Sequence, residues 1–161
     1  MCYWSRRGFV RIHQIESELW LPRPRDEVFA FFSDASNLDA ITPPWLHFRT
    51  VTPAAIDMRA GALIDHKLRL RGIPMRWRTK INLWEPPAHF VDEQIRGPYR
   101  MWIHEHTFEE RDGGTLVRDR VRYAVPFDLF VHWWLVRPDV ERIFRYRRER
   151  LLELFGTHTK G

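Results

Sequence analysis

The stretch "PPAHFVDEQIRGPYRMWIHEHTFEERDGGTLVRDRVRYAVP", residues 86–126, reads as three successive strands. "HFVDEQIRG", "YRMWIHEHTFEER" and "GTLVRDRVRYAVP" are rich in aromatic and β-branched residues and broken by turn signals. Gly97-Pro98 joins the first two, and Asp112-Gly113-Gly114 is a strong hairpin signal between the last two. His104 and His106 are two residues apart, so on a strand they point to the same face.

Working outward from this stretch, "GALIDHKLRLRG" and "PMRWRTKINLWEP" read as a hairpin turning at Gly72-Ile73, and "LHFRTVTP" as a strand before it. "GFVRIHQIESELWLP" reads as the first strand, ending at Pro22. A helix is expected over "RPRDEVFAFFSD", with Pro24 at its start and Asp26 and Glu27 in its first turn. "ASNLDAI" reads as a second short helix, broken by Pro43-Pro44. From Pro138 to Phe155, Val140, Ile143, Phe144, Leu151, Leu154 and Phe155 recur at helical spacing, and Gly156 stops the run. A long antiparallel sheet with one long helix buries that helix only by curling around it, which can leave a hollow between the two. The expected class is α+β, a seven-stranded antiparallel sheet with a C-terminal helix.

The turns set the register. Around Gly72-Ile73, Leu70 faces Met75, Leu68 faces Trp77, His66 faces Thr79 and Ile64 faces Ile81. The "EPPA" turn puts Thr79 opposite Gln94 and Ile81 opposite Asp92. The Asp112-Gly113 turn puts His106 opposite Asp119 and His104 opposite Val121, with Glu105 and Arg120 paired outside. An odd-length loop or a bulge at Gly97-Pro98 brings both sets to one face. The interior then holds Trp77, Phe90, Trp102, Phe108 and Tyr123 together with Asp92, Gln94, His104, His106 and Asp119. So many polar groups in an apolar wall imply a hydrogen-bonded network or a wet pocket. The opposite face carries Lys67, Arg69, Arg71, Arg76, Arg78 and Lys80. No aromatics interleave there to stack bases, so it reads as a solvated face rather than a nucleic-acid surface.

The bulk numbers agree with a globular chain. It has 161 residues, 44% hydrophobic and 29% charged, and reads as one domain, 1–161. Eight tryptophans suit a lined cavity. The net charge is +5, from 26 basic and 21 acidic residues. A single cysteine, Cys2, excludes an internal disulfide. There is no signal-peptide core and no apolar run of membrane-span length, so a cytoplasmic location is expected.

The stretches "LPRPRDEVFAFFSDASNLDAITP", "GIPMRWRTKI", "VERIFRYRRERLLELF" and the opening one together resemble the START-like, helix-grip (SRPBCC) superfamily. This superfamily includes polyketide cyclases and dehydratases, plant abscisic-acid receptors and the birch-pollen allergens. The resemblance is to its bacterial ligand-binding branch. It implies a sheet gripping the C-terminal helix around a cavity, with no metal and no cofactor. "VPFDLFVHWW" departs from the pattern, since Phe127 stands where relatives often carry glycine. A segment like Phe127–Trp134 more often packs on the sheet or helix; its functional alternatives are a gate over the cavity, placed first, and contact with a membrane.

Function follows as an expectation. The cavity would bind a lipid-, polyketide- or aromatic-like molecule through Leu68, Trp77, Phe90, Asp92, Gln94, Trp102, His104, His106, Phe108, Asp119 and Tyr123. The alternative is a cofactor-free cyclase or dehydratase, in which Asp119 orients His106 as a proton shuttle. Zinc on His104, His106 and Asp119 is chemically conceivable, but the H-x-H motif is short and no metal site is expected.

Overall fold

The computed structural model describes residues 11–53, 56–126 and 132–156. The strands are β1 (His13–Leu21), β2 (Arg49–Thr50), β3 (Leu63–Leu70), β4 (Ile73–Glu85), β5 (His89–Arg96), β6 (Met101–Arg111) and β7 (Gly114–Ala124). They form one antiparallel sheet in the order β1-β7-β6-β5-β4-β3-β2. Helix α1 (Arg25–Ser33) follows β1, and α2 (Arg137–Phe155) closes the described chain, entered through a π-helical turn at His132–Val136.

Local chemistry accounts for the helix ends. Pro24 precedes α1, with Asp26 and Glu27 at the positive end of its dipole. Asp34 ends α1 and caps the 3-10 turn Ala35–Ile41 by accepting from the Ser36 amide at 2.9 Å. Helix α2 has Pro138 in its first turn and buries Val140, Leu151 and Phe155.

The last hairpin turns at Asp112–Gly113, both at positive φ, as a two-residue loop matching strand twist requires. The β3–β4 hairpin corrects the sequence expectation. Its loop is Arg71–Gly72, not Gly72-Ile73, so Leu68 pairs with Met75, His66 with Trp77 and Ile64 with Thr79. Both loop residues have positive φ, which places the glycine second in the turn. The slip is two residues along the partner, so every side chain keeps its expected face. Strand β2 is also shorter than expected. His47 adopts a left-handed conformation at φ 42°, and regular pairing to β3 covers only Arg49 and Thr50.

Two apolar groups flank the interior. One joins Phe29, Phe90, Phe108, Val117, Leu151 and Phe155 under α1. The other joins Val121, Tyr123 and Val125 to Trp102 and Phe144. On the outside, Arg120 bridges Glu16 at 2.8 Å and Glu105 at 3.4 Å, and Arg78 meets Asp65 at 2.7 Å, relieving part of the basic ribbon. Among the described residues, no helix is long and apolar enough to cross a membrane.

Candidate functional site: a buried histidine–aspartate network beside a cavity

Three neighbouring strands supply the polar network. Asp92 on β5 stands opposite His104 on β6, and His106 stands opposite Asp119 on β7. The β5–β6 register therefore puts both pairs on one face. Glycine is required at the turn between these strands. A Cβ on Gly97 would lie 2.2 Å from Gln94 Oε1, which accepts the Tyr99 amide while the Gln94 Nε2 donates to the Tyr99 carbonyl at 2.8 Å.

The four groups alternate in sign. Asp119 Oδ1 lies 3.1 Å from His104 Nε2, in hydrogen-bond geometry. The same oxygen is 2.7 Å from His106 Nδ1, off the hydrogen-bond direction. On the other side, Asp92 Oδ2 is hydrogen-bonded to His106 Nε2 at 3.1 Å and lies 3.9 Å from His104 Nδ1. The imidazole centroids are 3.8 Å apart, and Phe90 stacks on His106 at 4.2 Å.

Burial and the neighbouring charges then pull the two imidazoles apart. Burial opposes charge on His106, but Asp119 and Asp92 outweigh it and raise its pKa. For His104, burial and the neighbouring His106 prevail and lower the pKa. Burial also works against both carboxylates, but the imidazoles hold Asp92 and Asp119 below the ordinary range. His106 is thus the more basic of the two imidazoles, set between two carboxylates held more acidic than usual.

Beside this network lies a cavity of about 190 Å³ between the sheet and α2. Leu68, Trp77, Phe90, Asp92, Trp102, His104 and His106 line it. The other expected residues lie elsewhere. Asp119 stands behind the histidines, in contact with both. Gln94 turns its amide into the β5–β6 turn. Phe108 packs against Phe29 and Phe32 at centroid distances of 5.2 Å. Tyr123 sits in the second apolar group, its hydroxyl 3.0 Å from His132 Nε2.

Two basic lining residues, His66 and Arg147, were absent from the expected site. Burial pushes His66, on β3, down to about 4, and its Nδ1 lies 3.2 Å from Thr50 Oγ1. His66 lies on the inner face in the expected register as well as in the observed one. Arg147, on α2, also lines the wall. The signal for it was its spacing: three residues after Phe144 and four before Leu151, it falls on the buried stripe. Leu154, expected on that stripe, is 41% exposed.

Of the segment expected at the cavity mouth, residues 127–131 lie outside the described residues. Trp133 and Trp134 are exposed on the π-helical turn. Ligand atoms of Asp92, His104 and His106 all lie within 4.8 Å of one another, a spacing a metal ion could use.

The family model for polyketide cyclase / dehydrase and lipid transport matches residues 21–152. The chain belongs to this family. The sheet and long C-terminal helix are its helix-grip architecture. Similar solved structures include protein CV1439 from Chromobacterium violaceum, at 14% identity and TM-score 0.70, covering 89% of this chain and 97% of that one. The di-domain ARO/CYC StfQ from the steffimycin biosynthetic pathway is 14% identical with TM-score 0.66, covering 89% of this chain and 49% of that one. Ara h 8.0201 is 18% identical with TM-score 0.61, covering 89% and 99%. At such identities the likeness concerns the fold alone. No curated protein matches the chain.

Proposed function

We propose that this family member binds a small hydrophobic or amphipathic molecule in the cavity between the sheet and α2. One observation carries this. A space of about 190 Å³ lies next to a buried, hydrogen-bonded polar network, and its other walls are largely aromatic and aliphatic. An engineered apolar cavity of ~150 Å³ already takes up benzene, so a one- or two-ring compound or a short acyl chain is a suitable occupant. Leu68, Trp77, Phe90 and Trp102 would contact its body, and the end holding Asp92, His104 and His106 would orient its polar group.

The neutral two-ring fluorophore 1-naphthylamine tests this. Native protein is expected to bind it at one site. Leu68→Trp, which fills the space without adding charge, should weaken binding by about ten-fold or more while the fold tolerates the change. Equal affinity in both proteins would move the dye out of the cavity and remove the proposal's support.

The network also supports a second reading, cofactor-free cyclisation or dehydration. His106 would turn its Nε2 proton from Asp92 to a substrate carbonyl oxygen and the freed Nε2 would take an adjacent proton, with Asp119 on Nδ1 as its positioning partner. This reading expects proton–deuterium exchange next to the carbonyl of a bound aromatic ketone, lost in His106→Gln with dye affinity retained. Exchange at the same rate in His106→Gln removes it.

A further inference from the structure

We propose that the cavity selects molecules bearing an anionic oxygen group, a carboxylate above all, and that Arg147 is the residue that binds it. This rests on the cavity-binding proposal above and names the class of ligand.

Arg147 stands on the buried stripe of α2, where the residues before and after it in the stripe, Phe144 and Leu151, are apolar. Its Nε is enclosed and has no hydrogen-bond partner. Among the described residues, no carboxylate makes an ion pair with it, and its Cζ lies 5.5 Å from the centroid of the Phe144 ring. A guanidinium presents five donors in a planar fork, and leaving the enclosed Nε donor unmatched away from water is costly. The surface arginines show the contrast. Arg78, Arg118, Arg120 and Arg137 each hold a carboxylate at 2.8 Å or less.

The two nearby carboxylates do not fill the gap. Asp119 Oδ1 is taken by His104 and His106, and Asp92 Oδ2 by His106. Both aspartates attract Arg147 through space, but burial still works against its charge. The two aspartates are hydrogen-bonded or paired to the imidazoles, so an added anion has to sit on the guanidinium side of this end, away from Asp92. A carboxylate matches the fork in two parallel hydrogen bonds, a pairing a neutral hydroxyl cannot reproduce. The ligand's body would then run toward Leu68 and Trp77. A divalent cation on Asp92, His104 and His106 is the competing occupant, and the guanidinium on the same wall opposes it.

The test compares 2-naphthoate with 2-naphthylmethanol, which share a ring system and differ in charge. Binding is read by calorimetry and by quenching of Trp77 and Trp102 at neutral pH. The acid is expected to bind about ten-fold or more tightly than the alcohol. Arg147→Met should remove that preference and leave alcohol binding intact, while Arg147→Lys should keep part of it. Equal affinities in the wild-type protein, or a preference surviving in Arg147→Met, overturns the assignment and leaves the cavity proposal standing. Binding of neither compound removes both. If Arg147→Met fails to fold, the wild-type comparison together with Arg147→Lys decides.

Discussion

Asp119→Ala is expected to lower the stability of the protein by ~3–5 kcal/mol, the cost of removing one partner from a buried charged network. Asp119 is 7% exposed, and one of its oxygens serves two imidazoles at 3.1 and 2.7 Å. Its loss strands His104 Nε2 in an apolar surround and leaves His106 with Asp92 as its one counter-charge. For a chain of this length the midpoint of thermal unfolding should fall by roughly 10 °C. Asp119→Asn, which keeps the shape and one acceptor, should lie between the wild type and the alanine variant. A midpoint for Asp119→Ala within about 2 °C of the wild type would show that the network carries little of the fold's stability.

The second large effect is on acid stability. His66 is 4% exposed, and burial lowers its pKa to about 4. The unfolded chain binds a proton at this residue near pH 6.5 and the folded chain does not. The contribution is therefore fully present above pH 6.5 and is lost as the pH falls toward 4. A drop from about 6.5 to about 4 corresponds to roughly 3 kcal/mol. His104, lowered by burial and by His106, acts in the same sense. His106 acts in the opposite sense, and its contribution fades as the pH rises through its raised pKa. Asp92 and Asp119 matter below the ordinary carboxylate range, where protonation of the unfolded chain begins to compete. His66→Gln isolates the first term. Denaturant unfolding at pH 7 and at pH 4 should show a stability difference smaller by roughly 3 kcal/mol in the variant than in the wild type. Identical differences in the two proteins would place His66 in contact with solvent.

The network was legible because strands repeat every two residues and short turns leave little freedom. Once Asp112-Gly113 is a two-residue loop, His106 must face Asp119. Asp92 reaches its expected place opposite Ile81 only because a bulge between Ile81 and Leu83 offsets the pairing that starts at Glu85 and His89, a feature the turn residues do not announce. The β3–β4 turn was misplaced because a rule that looks for glycine does not say which turn position it takes. Arg71 at φ 51° carries no comparable mark in the sequence. Even so, a two-residue slip preserves faces, so the inner surface was predicted from a wrong pairing. Arg147 escaped for a different reason. A charged residue on a basic helix is read as solvated by default, and only its place between Phe144 and Leu151 argues otherwise. Phe108 and Tyr123 were read as inward-facing, which they are. Which inward side chains touch open space and which touch α1 or α2 depends on helix docking, and no strand pattern encodes that.

The account stands on an internal cavity that a small molecule can occupy. Native mass spectrometry of the freshly purified protein, before and after addition of 1-naphthylamine, tests this most directly. The expected spectrum shows one small molecule per chain, either co-purified or the added dye, released when the protein is denatured in acid. A spectrum containing only the bare chain mass under both conditions would contradict it, and His104 and His106 would then be parts of a closed core rather than the wall of a binding site.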